Sequence, residues 1–441
     1  MKDGTRQGDF REGVKVPGKR RWHSLIDKIW VMPNLEEAFR EVRRNKGAAG
    51  VDGMTIKAFE AELESNLRTL QHELRTKTYK PMPVKRVYIP KADGSQRPLG
   101  IPAIRDRVVQ AAARRILEPI YEATFMDCSF GFRPGRSAHM ALENIRKDLM
   151  DGYVYVIDAD LKSYFDLIPH DKLMKAFREE VVDGSVIKLM ESFLKSGVLE
   201  NGSFHLNDQG CPQGGVISPL LANIYLNPLD KLMTERGHRI TRYADDFVIC
   251  CKSQKGAERV LRSVTRLLEQ ELGLTVHPEK TKIVNNLEQS FVFLGHEFRP
   301  GYWVGPSPKA KKKFKERVKE ITRRNQTVNV EQLIQKKLNP YLRGWGNYFG
   351  WGHVKSLLLE YDAWIRRRLR MVQLRSWKKV KSLHRALRRN KWKGELPKMR
   401  MYAWRSSRST PASVAMPNEW FREKGLVFLV DLYNEHHPQR G

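Results

Sequence analysis

Apolar residues follow two patterns along the chain: short β-favouring runs and longer stretches at helical spacing. Runs of the first kind predict strands at 84–91 and 153–160, and two more flank the acidic pair Asp245-Asp246. The two flanking runs predict a β-hairpin with adjacent carboxylates at its tip, an arrangement suited to a metal ion. An acidic turn in an ordinary hairpin explains the same pattern, because Asp disfavours strand interiors and tolerates turns.

Helical spacing predicts a helix that begins near Asn34, with others after it. Asn34 and Glu37 have the spacing of a capping box, so we expect Asn34 to be the N-cap and Gly47 to end this helix. Further helical patterns predict helices at about 55–75 and 105–121.

The strand predicted at 153–160 ends in a carboxylate. The strand is apolar enough to be central in a sheet, where Asp160 is costly unless it is paired or metal-bound. The N-cap of a helix that begins near Lys162 explains Asp160 as well.

Two loops carry cations suited to phosphates. Lys91 and Arg97 flank a predicted hairpin and suit a triphosphate, although surface hairpins commonly carry such pairs. The loop at 129–137 combines two phenylalanines with Arg133 and Arg136, which suits stacking and phosphate contact. A Gly/Pro turn with two buried phenylalanines explains this loop equally well.

A glycine-rich loop at 209–219 precedes a predicted helix at 220–225. A loop of this kind brings backbone N–H groups close to a flat or anionic ligand. It is not a Walker loop, because no Gly-Lys-Ser/Thr sequence follows.

The charge of the chain indicates a polyanionic partner. The formal net charge is +30, the pI is near 10.0, and the 41% of hydrophobic residues exclude a disordered protein. Residues 1–300 contain 47 Lys and Arg against 40 Asp and Glu, whereas residues 301–441 contain 33 against 10 and eight of the ten tryptophans. Interleaved basic and aromatic residues suit nucleic acid, although tryptophans at helical spacing are more often core residues.

The basic tail contains three helical patterns. Residues 307–322 predict a basic helix, residues 338–349 predict a second, and an apolar stripe from Tyr361 to Val372 predicts a third, with three arginines facing away from the stripe. The candidate nucleic-acid-binding cations of the first and third helices are Lys311, Lys312, Lys313, Arg366, Arg367 and Arg370. A charged run of this kind is usually a solvated face.

Neither a membrane partner nor a zinc framework is expected. No apolar run approaches the roughly 18 residues of a spanning helix, and the N-terminus lacks an apolar signal core. The four cysteines form no C-x-x-C pair, which argues against zinc ribbons and disulfide frameworks. We therefore expect an intracellular protein.

Three motifs in chain order resemble the reverse transcriptase palm. They are Asp160 at a strand end, Pro212-Gln213-Gly214 at a helix start, and Tyr243-Ala244-Asp245-Asp246 in a hairpin. Further motifs are similar to the group II intron-encoded branch: residues 89–102, 130–136, 278–282 and 293–295, with residues 45–53 similar to its N-terminal extension. The C-terminal region looks most like the bacterial class C type, and the resemblance covers about residue 30 to the end.

The resemblance implies an α+β fold, a right-hand polymerase. Its fingers and palm would be an antiparallel sheet packed on helices, followed by an α-helical thumb and maturase region. The implied segments are a basic arm at 1–30, fingers with an N-terminal extension at 31–150, the palm at 151–300, the thumb and maturase domain X at 301–375, and a basic maturase or DNA-binding-like region at 376–441.

The resemblance also implies a metal site. Position by position, Asp160, Asp245 and Asp246 match the family's metal-binding triad, which holds two Mg²⁺ ions. Small carboxylate sets of this kind suit Mg²⁺, since it completes its shell with substrate phosphates.

Other motif positions imply a nucleotide pocket. Lys91 and Arg97 match cations that bind the triphosphate, Gln213 matches a residue that lines the pocket, and Lys280 matches a lysine near the phosphates. Phe165 falls where the family has an aromatic residue that collides with a ribose 2′-hydroxyl, which implies a preference for dNTPs.

The implied function is an RNA-directed DNA polymerase that also acts as a maturase, binding group II intron RNA to assist splicing and mobility. The expected partners are intron RNA, an RNA template with its DNA primer, dNTPs and target DNA, in the bacterial cytoplasm. A splicing-only RNA-binding protein with an inactive palm and a domesticated reverse transcriptase remain alternatives. Because no cysteine follows Cys251, no HNH endonuclease domain is expected.

Overall fold

The structure is a computed structural model that describes residues 15–16, 19–90, 96–200, 202–206, 208–325 and 329–437. The chain divides into two compact units, Met1–Ile283 and Val284–Gly441, and each has its own hydrophobic core. The sequence predicted this division near residue 300. The smaller segments predicted on either side of it remain predictions.

The first unit combines strands and helices. Its strands are β1 (Lys15–Val16), β2 (Lys19–Arg20), β3 (Val84–Pro90), β4 (Gln96–Ile101), β5 (Tyr155–Ala159), β6 (Val198–Glu200), β7 (Ser203–His205), β8 (Arg239–Tyr243) and β9 (Asp246–Cys251). Its helices are α1 (Ile26–Trp30), α2 (Met32–Asn45), α3 (Ile56–Ala61), α4 (Leu63–Thr76), α5 (Ile104–Glu122), α6 (Ala138–Met150), α7 (Tyr164–Leu167), α8 (His170–Phe177), α9 (Gly184–Leu194), α10 (Ser218–Glu235) and α11 (Gln254–Arg266), followed by a π-helical turn, Leu267–Glu271.

The sheet that positions the carboxylates has the order β10-β5-β9-β8, where β10 is Lys282–Asn285. Strand β5 pairs antiparallel with β9, with Ala159 opposite Phe247, so that Asp160 follows β5 beside the start of β9. Strands β8 and β9 form the predicted hairpin. Strand β9 is buried from Phe247 to Cys251, where α6 and α11 pack against it, which explains its continuously apolar sequence.

A second sheet, with the order β4-β3-β6-β7, carries the predicted basic hairpin. Strands β3 and β4 pair antiparallel, with Ile89 opposite Arg97, and β3 pairs parallel with β6. The hairpin prediction is therefore confirmed for the strands, whereas the loop at 91–95 lies outside the described residues.

The predicted N-cap at Asn34 is wrong. Helix α2 begins at Met32 with a proline in its first turn, a position that proline favours. The Asn34 side-chain amide instead donates to the carbonyl oxygens of Ile29 and Ala112, both at 3.1 Å. Its amide is thus used in a tertiary contact.

Asp160 is not a helix N-cap either. The next helix, α7, begins only at Tyr164, after Ser163, whose φ is +46°. The alternative explanation of Asp160 from the sequence therefore does not hold.

The second unit has a small sheet and a helical array. Its strands are β11 (Phe291–Phe293), β12 (His296–Arg299) and β13 (Trp303–Pro306), paired in that order. Its helices are α12 (Pro308–Ile321), α13 (Val330–Leu333), α14 (Asn339–Phe349), α15 (Lys355–Trp377), α16 (Val380–Arg389), α17 (Thr410–Ala415), α18 (Asn418–Glu423) and α19 (Leu429–His436), with a π-helical turn, Ile334–Leu338, and a 3₁₀ turn, Trp404–Arg408.

The predicted apolar stripe of α15 is confirmed as core. Tyr361, Ile365, Leu369 and Val372 are all buried. In the described parts of the chain, no helix is both long and apolar enough to cross a membrane.

Candidate active site and nucleic-acid surfaces

Three carboxylates lie close enough to influence one another at the tip of the β8–β9 hairpin. Asp160 follows β5, Asp245 lies in the hairpin turn, and Asp246 begins β9. Burial raises the pKa of Asp245 above the usual range of a carboxyl. Desolvation by the surrounding protein, with the negative charges of Asp245, Asp160 and Asp158, raises the pKa of Asp246 to about 6, although the residue is exposed at the surface. The three predicted ligands therefore share one electrostatic environment.

A lysine neutralises part of this negative charge. The Lys280 ammonium donates to Oδ2 of Asp160 at 2.7 Å. Lys282 lies 3.9 Å from Asp158, the other carboxylate near the end of β5. Lys280, which the sequence placed near the substrate phosphates, is thus within reach of the carboxylate site.

The donor set fits Mg²⁺ chemically. In the described part of the chain, no group of three or more His, Cys, Asp and Glu side chains could hold a metal ion as it stands. Mg²⁺ commonly takes only one or two carboxylates and completes its shell with water and substrate phosphates. The three carboxylates repel one another, and one of them, Asp160, is paired with the ammonium of Lys280. A bound cation would relieve this repulsion.

A buried arginine holds the hairpin turn from beneath. Arg242 is fully buried and donates from Nε and Nη2 to both carboxylate oxygens of Asp230, which is also fully buried. Its Nη1 donates to Oδ1 of Asn223 at 2.9 Å and to the carbonyl oxygen of Ala244 at 2.8 Å. Ala244 has a φ of +60°, which costs a non-glycine residue about 1–2 kcal/mol. The hydrogen bond therefore fixes a strained turn that presents the two carboxylates.

Gly131 brings the 129–137 loop directly against this turn. The Phe130 backbone N–H donates to the Arg242 carbonyl oxygen at 2.8 Å, and the Asn223 amide donates to the Gly131 carbonyl oxygen at 2.8 Å. A Cβ atom on Gly131 would lie 2.3 Å from the backbone nitrogen of Ala244. Only glycine fits here without moving the turn.

Three of the predicted nucleotide-binding residues lie at the glycine-rich loop: Arg97, Phe165 and Gln213. Nε of Arg97 donates to Oε1 of Gln213 at 3.1 Å, and the Gly100 backbone N–H donates to the Gln213 carbonyl oxygen at 2.6 Å. Phe165 is 8% exposed and lines, with Gln213, a cavity of about 520 Å³. Lys91 lies outside the described residues.

Arg133 is almost completely buried, so the prediction that it contacts nucleic acid is wrong. Its side chain is 3% exposed and forms an ion pair with Glu122, while Nη1 donates to the Ser129 carbonyl oxygen at 2.8 Å. The guanidinium stabilises the loop from inside.

Arg136 remains partly exposed on the same loop. It pairs with Asp127 and lies 5.8 Å from the centroid of the Phe130 ring. Phe130 is buried and Phe132 is 50% exposed, so the alternative with two buried phenylalanines is also wrong for one of them.

Two arginines of α15 are partly packed into the second unit. Arg370 donates from Nε and Nη2 to the Met416 carbonyl oxygen at 3.2 and 3.0 Å, and the Arg366 guanidinium lies over the Phe428 ring at 5.2 Å. The prediction of a solvated face is therefore wrong for these two arginines. Helix α15 is buried on more than one side, since Met371, which lies outside the predicted stripe, is also buried. Arg367 is half-buried.

The lysines of α12 differ from one another. The Lys311 ammonium lies 5.5 Å from the centroid of the Trp303 ring, whereas Lys312 and Lys313 are exposed. The latter two are available to a polyanion.

Three residues that hold the hairpin turn were not predicted from the sequence: Arg242, Asp230 and Asn223. A charged side chain within an apolar strand is costly unless it is paired. Arg242 lies in such a strand, directly before the hairpin turn, so its sequence position alone indicated a buried partner. Its partner could not be identified from local pattern, because Asp230 lies on α10, a separate element.

Two family profiles match most of the chain. The family profile described as Reverse transcriptase (RNA-dependent DNA polymerase) matches residues 89–298, and that described as Group II intron, maturase-specific domain matches residues 311–392. Protein YkfC of Escherichia coli (strain K12) is 39% identical over 302 residues, which cover 59% of this chain and 79% of YkfC.

Two relatives are matched over a smaller share of their length. Group II intron-encoded protein LtrA of Lactococcus lactis subsp. cremoris is 41% identical over 212 residues, 48% of this chain and 35% of LtrA. An uncharacterized 91 kDa protein in the cob intron of Schizosaccharomyces pombe is 28% identical over 399 residues, 71% of this chain and 48% of that protein. The chain thus spans about a third of the one and about half of the other. Together with the two profiles, these similarities show that the chain belongs to the group II intron-encoded reverse transcriptases with a maturase domain.

Proposed function

We propose that the chain is an RNA-directed DNA polymerase that extends a DNA primer on an RNA template. The observation that carries this proposal is the clustering of Asp160, Asp245 and Asp246 beside Arg97. Asp245 and Asp160 both raise the pKa of Asp246, and the positive charge of Arg97 acts on both hairpin carboxylates.

In the proposed reaction, the primer 3′-oxygen bonds to the α-phosphorus of a dNTP while the bond from that phosphorus to pyrophosphate breaks. Asp160, Asp245 and Asp246 would hold two Mg²⁺ ions, which activate the 3′-hydroxyl and stabilise the leaving oxygen when bound. Lys280 is the proposed proton donor to pyrophosphate, because its ammonium already lies beside Asp160.

The remaining residues of the pocket are proposed to select and orient the dNTP. Arg97 supplies a positive charge for the triphosphate, and its hydrogen bond to Gln213 orients both side chains. The Phe165 ring, which lines the cavity with Gln213, is proposed to collide with a ribose 2′-hydroxyl and thereby to favour dNTPs.

We further propose that the second unit binds group II intron RNA and assists splicing and mobility, with target DNA as a further partner. Residues 301–441 carry a net charge of +23, and Lys312 and Lys313 are exposed on α12. Structured RNA is recognised largely through shape and phosphates, which a basic helical surface suits.

Primer extension on an RNA template tests the polymerase. The wild type should incorporate dNTPs in Mg²⁺, and Asp245→Ala should slow incorporation by about a thousandfold or more, because a metal ligand contributes several kcal/mol to transition-state stabilisation. Asp158→Asn is the matched control, since Asp158 lies near the end of the same strand as Asp160 but outside the proposed ligand set, and it should stay within about threefold of the wild type.

The two proposed activities are decided separately. If the wild type incorporates no dNTP in Mg²⁺, the polymerase proposal fails. Binding of intron RNA and assisted splicing by Asp245→Ala then decide whether the chain is a splicing-only maturase.

A further inference from the structure

A cavity in the second unit lies outside the site described above. Its volume is about 510 Å³, within the range of roughly 300–1,000 Å³ found for small-molecule sites. Its lining comes from α13, α15, α16 and α18, all within one compact unit.

Two tryptophans line this cavity. Trp377 is the last residue of α15 and is half-buried, and Trp420, on α18, is 8% exposed. Gln373, one helical turn before Trp377, adds an amide to the lining. Indole rings stack on nucleobases with little regard to sequence, because every base has a π-face.

Two arginines of α16 add positive charge to the same cavity. Arg385 and Arg389 are four residues apart on one helix face, both line the cavity, and both are exposed. Neither forms an ion pair with a residue that the structure describes. By contrast, Lys424, also in the lining, is paired with Glu331 at 2.9 Å. The lining thus has two uncompensated guanidinium groups, which suit a phosphate.

We infer that this cavity binds one unstacked nucleotide of an RNA chain, with the base against the indoles and its phosphate at Arg385 and Arg389. A nucleotide in a regular duplex cannot enter, because its base is stacked and paired, whereas a bulged nucleotide can be splayed out onto aromatic side chains. This inference rests on the proposed RNA binding by the second unit.

The test compares two RNA probes by fluorescence anisotropy with the full-length protein. One is a perfectly paired duplex, and the other is the same duplex with a single unpaired adenosine. The wild type should bind the bulged probe about tenfold more tightly, since stacking of one base on an aromatic side chain contributes about that factor or more. Arg385→Ala/Arg389→Ala and Trp377→Leu should each lose most of this preference.

The matched control is Lys381→Ala/Arg388→Ala. This double variant removes the same number of positive charges from α16, but both residues are exposed and lie outside the lining of the cavity. It should weaken binding of both probes equally and keep the preference for the bulge. Equal loss of preference in both double variants, or an unchanged preference in Arg385→Ala/Arg389→Ala, would overturn the inference and indicate unspecific attraction or another site.

The probes also separate this inference from the function on which it depends. If the wild type binds both probes equally, nucleotide binding in the cavity is contradicted, whereas RNA binding by the second unit is not. Another occupant, such as an acidic peptide segment, would then fit the cavity. A wild type that binds neither probe contradicts RNA binding by the second unit itself. Thermal unfolding followed by tryptophan fluorescence, measured for every variant in parallel, shows that the second unit is folded, because eight of the ten tryptophans lie in residues 301–441.

Discussion

At the scale of single residues, the hairpin carboxylates depend on one buried guanidinium. Arg242 is expected to be a positioning residue, because it contacts the Ala244 carbonyl oxygen between Tyr243 and Asp245. Arg242→Lys removes the planar fork of donors and leaves an Asp230 carboxylate oxygen without its donor, which costs about 1–3 kcal/mol of stability. We expect kcat for single-nucleotide incorporation to fall about 100-fold, with a smaller change in KM.

A double variant separates positioning from folding. In Arg242→Met/Asp230→Leu no buried charge is left unpaired, and such replacements are often neutral for stability. Thermal unfolding of this variant should therefore move back towards the wild type, while kcat stays low because no donor reaches the Ala244 carbonyl oxygen. Recovery of kcat together with stability would show that Arg242 acts only through folding.

Gly131 gives a second prediction at this scale. Gly131→Ala places a Cβ atom 2.3 Å from the Ala244 backbone nitrogen, so the turn or the loop must move. A displacement of this kind is expected to slow incorporation about 100-fold. The control is Gly184→Ala on α9, where a Cβ atom meets nothing within 4 Å; comparable rate losses in both variants would contradict the role of the close contact.

At the scale of elements, the sequence predicted what neighbouring residues determine. The hairpin of β8 and β9 follows from two apolar runs around an acidic turn, and the basic helix at 307–322 is observed as α12, capped by Ser307. The errors come from distant partners. Asn34 matched a capping box, but its amide donates to Ala112, and Arg133 is buried against Glu122.

The candidate site was predictable to the same extent. Its carboxylates stand in short motifs and were found, whereas the contact of Arg242 with Asp230 depends on how α10 packs on the sheet. The faces of α15 show the same limit, because a single stripe predicts one buried face and the helix buries a second one at Met371.

Helix α19 begins on a carboxylate from another helix, which gives a pH-dependent prediction. Asp362, on α15, is buried and accepts the backbone N–H groups of Leu429 and Val430 at 2.9 and 3.0 Å. Burial raises its pKa to about 6 despite these hydrogen bonds. Because this value exceeds the unfolded value of about 3.9, the ionised group costs the folded state stability as pH rises through about 6.

Asp362→Asn should therefore gain stability relative to the wild type as pH rises from about 4 to about 7.5, by on the order of 2 kcal/mol. A constant loss from the missing acceptor is superimposed on this change. Urea unfolding followed by tryptophan fluorescence measures it, since eight of the ten tryptophans lie in residues 301–441. Stability differences that do not change with pH would contradict the raised pKa.

At the scale of the whole molecule, the carboxylates and the excess positive charge lie in different parts of the chain. The clustered carboxylates are at residues 160, 245 and 246, whereas residues 301–441 carry +23 of the net +30. In the proposed function, DNA synthesis depends on the carboxylates and RNA binding depends on the basic residues. The two activities are therefore expected to be lost independently.

Lys312→Ala/Lys313→Ala tests this separation through salt. Each lost phosphate contact should reduce the slope of log K against log salt by about one, so the slope should fall by up to about two. Lys311→Ala should change it less, because that ammonium lies over the Trp303 ring. Extension of a primer on a short template should stay at the wild-type rate in the double variant, whereas Asp245→Ala should abolish extension and leave the RNA slope unchanged. The triple variant should lose primer extension and show the reduced salt slope, with no additional loss of either, since the sites share no partners. A weaker RNA affinity of Asp245→Ala alone would show that the two activities are coupled.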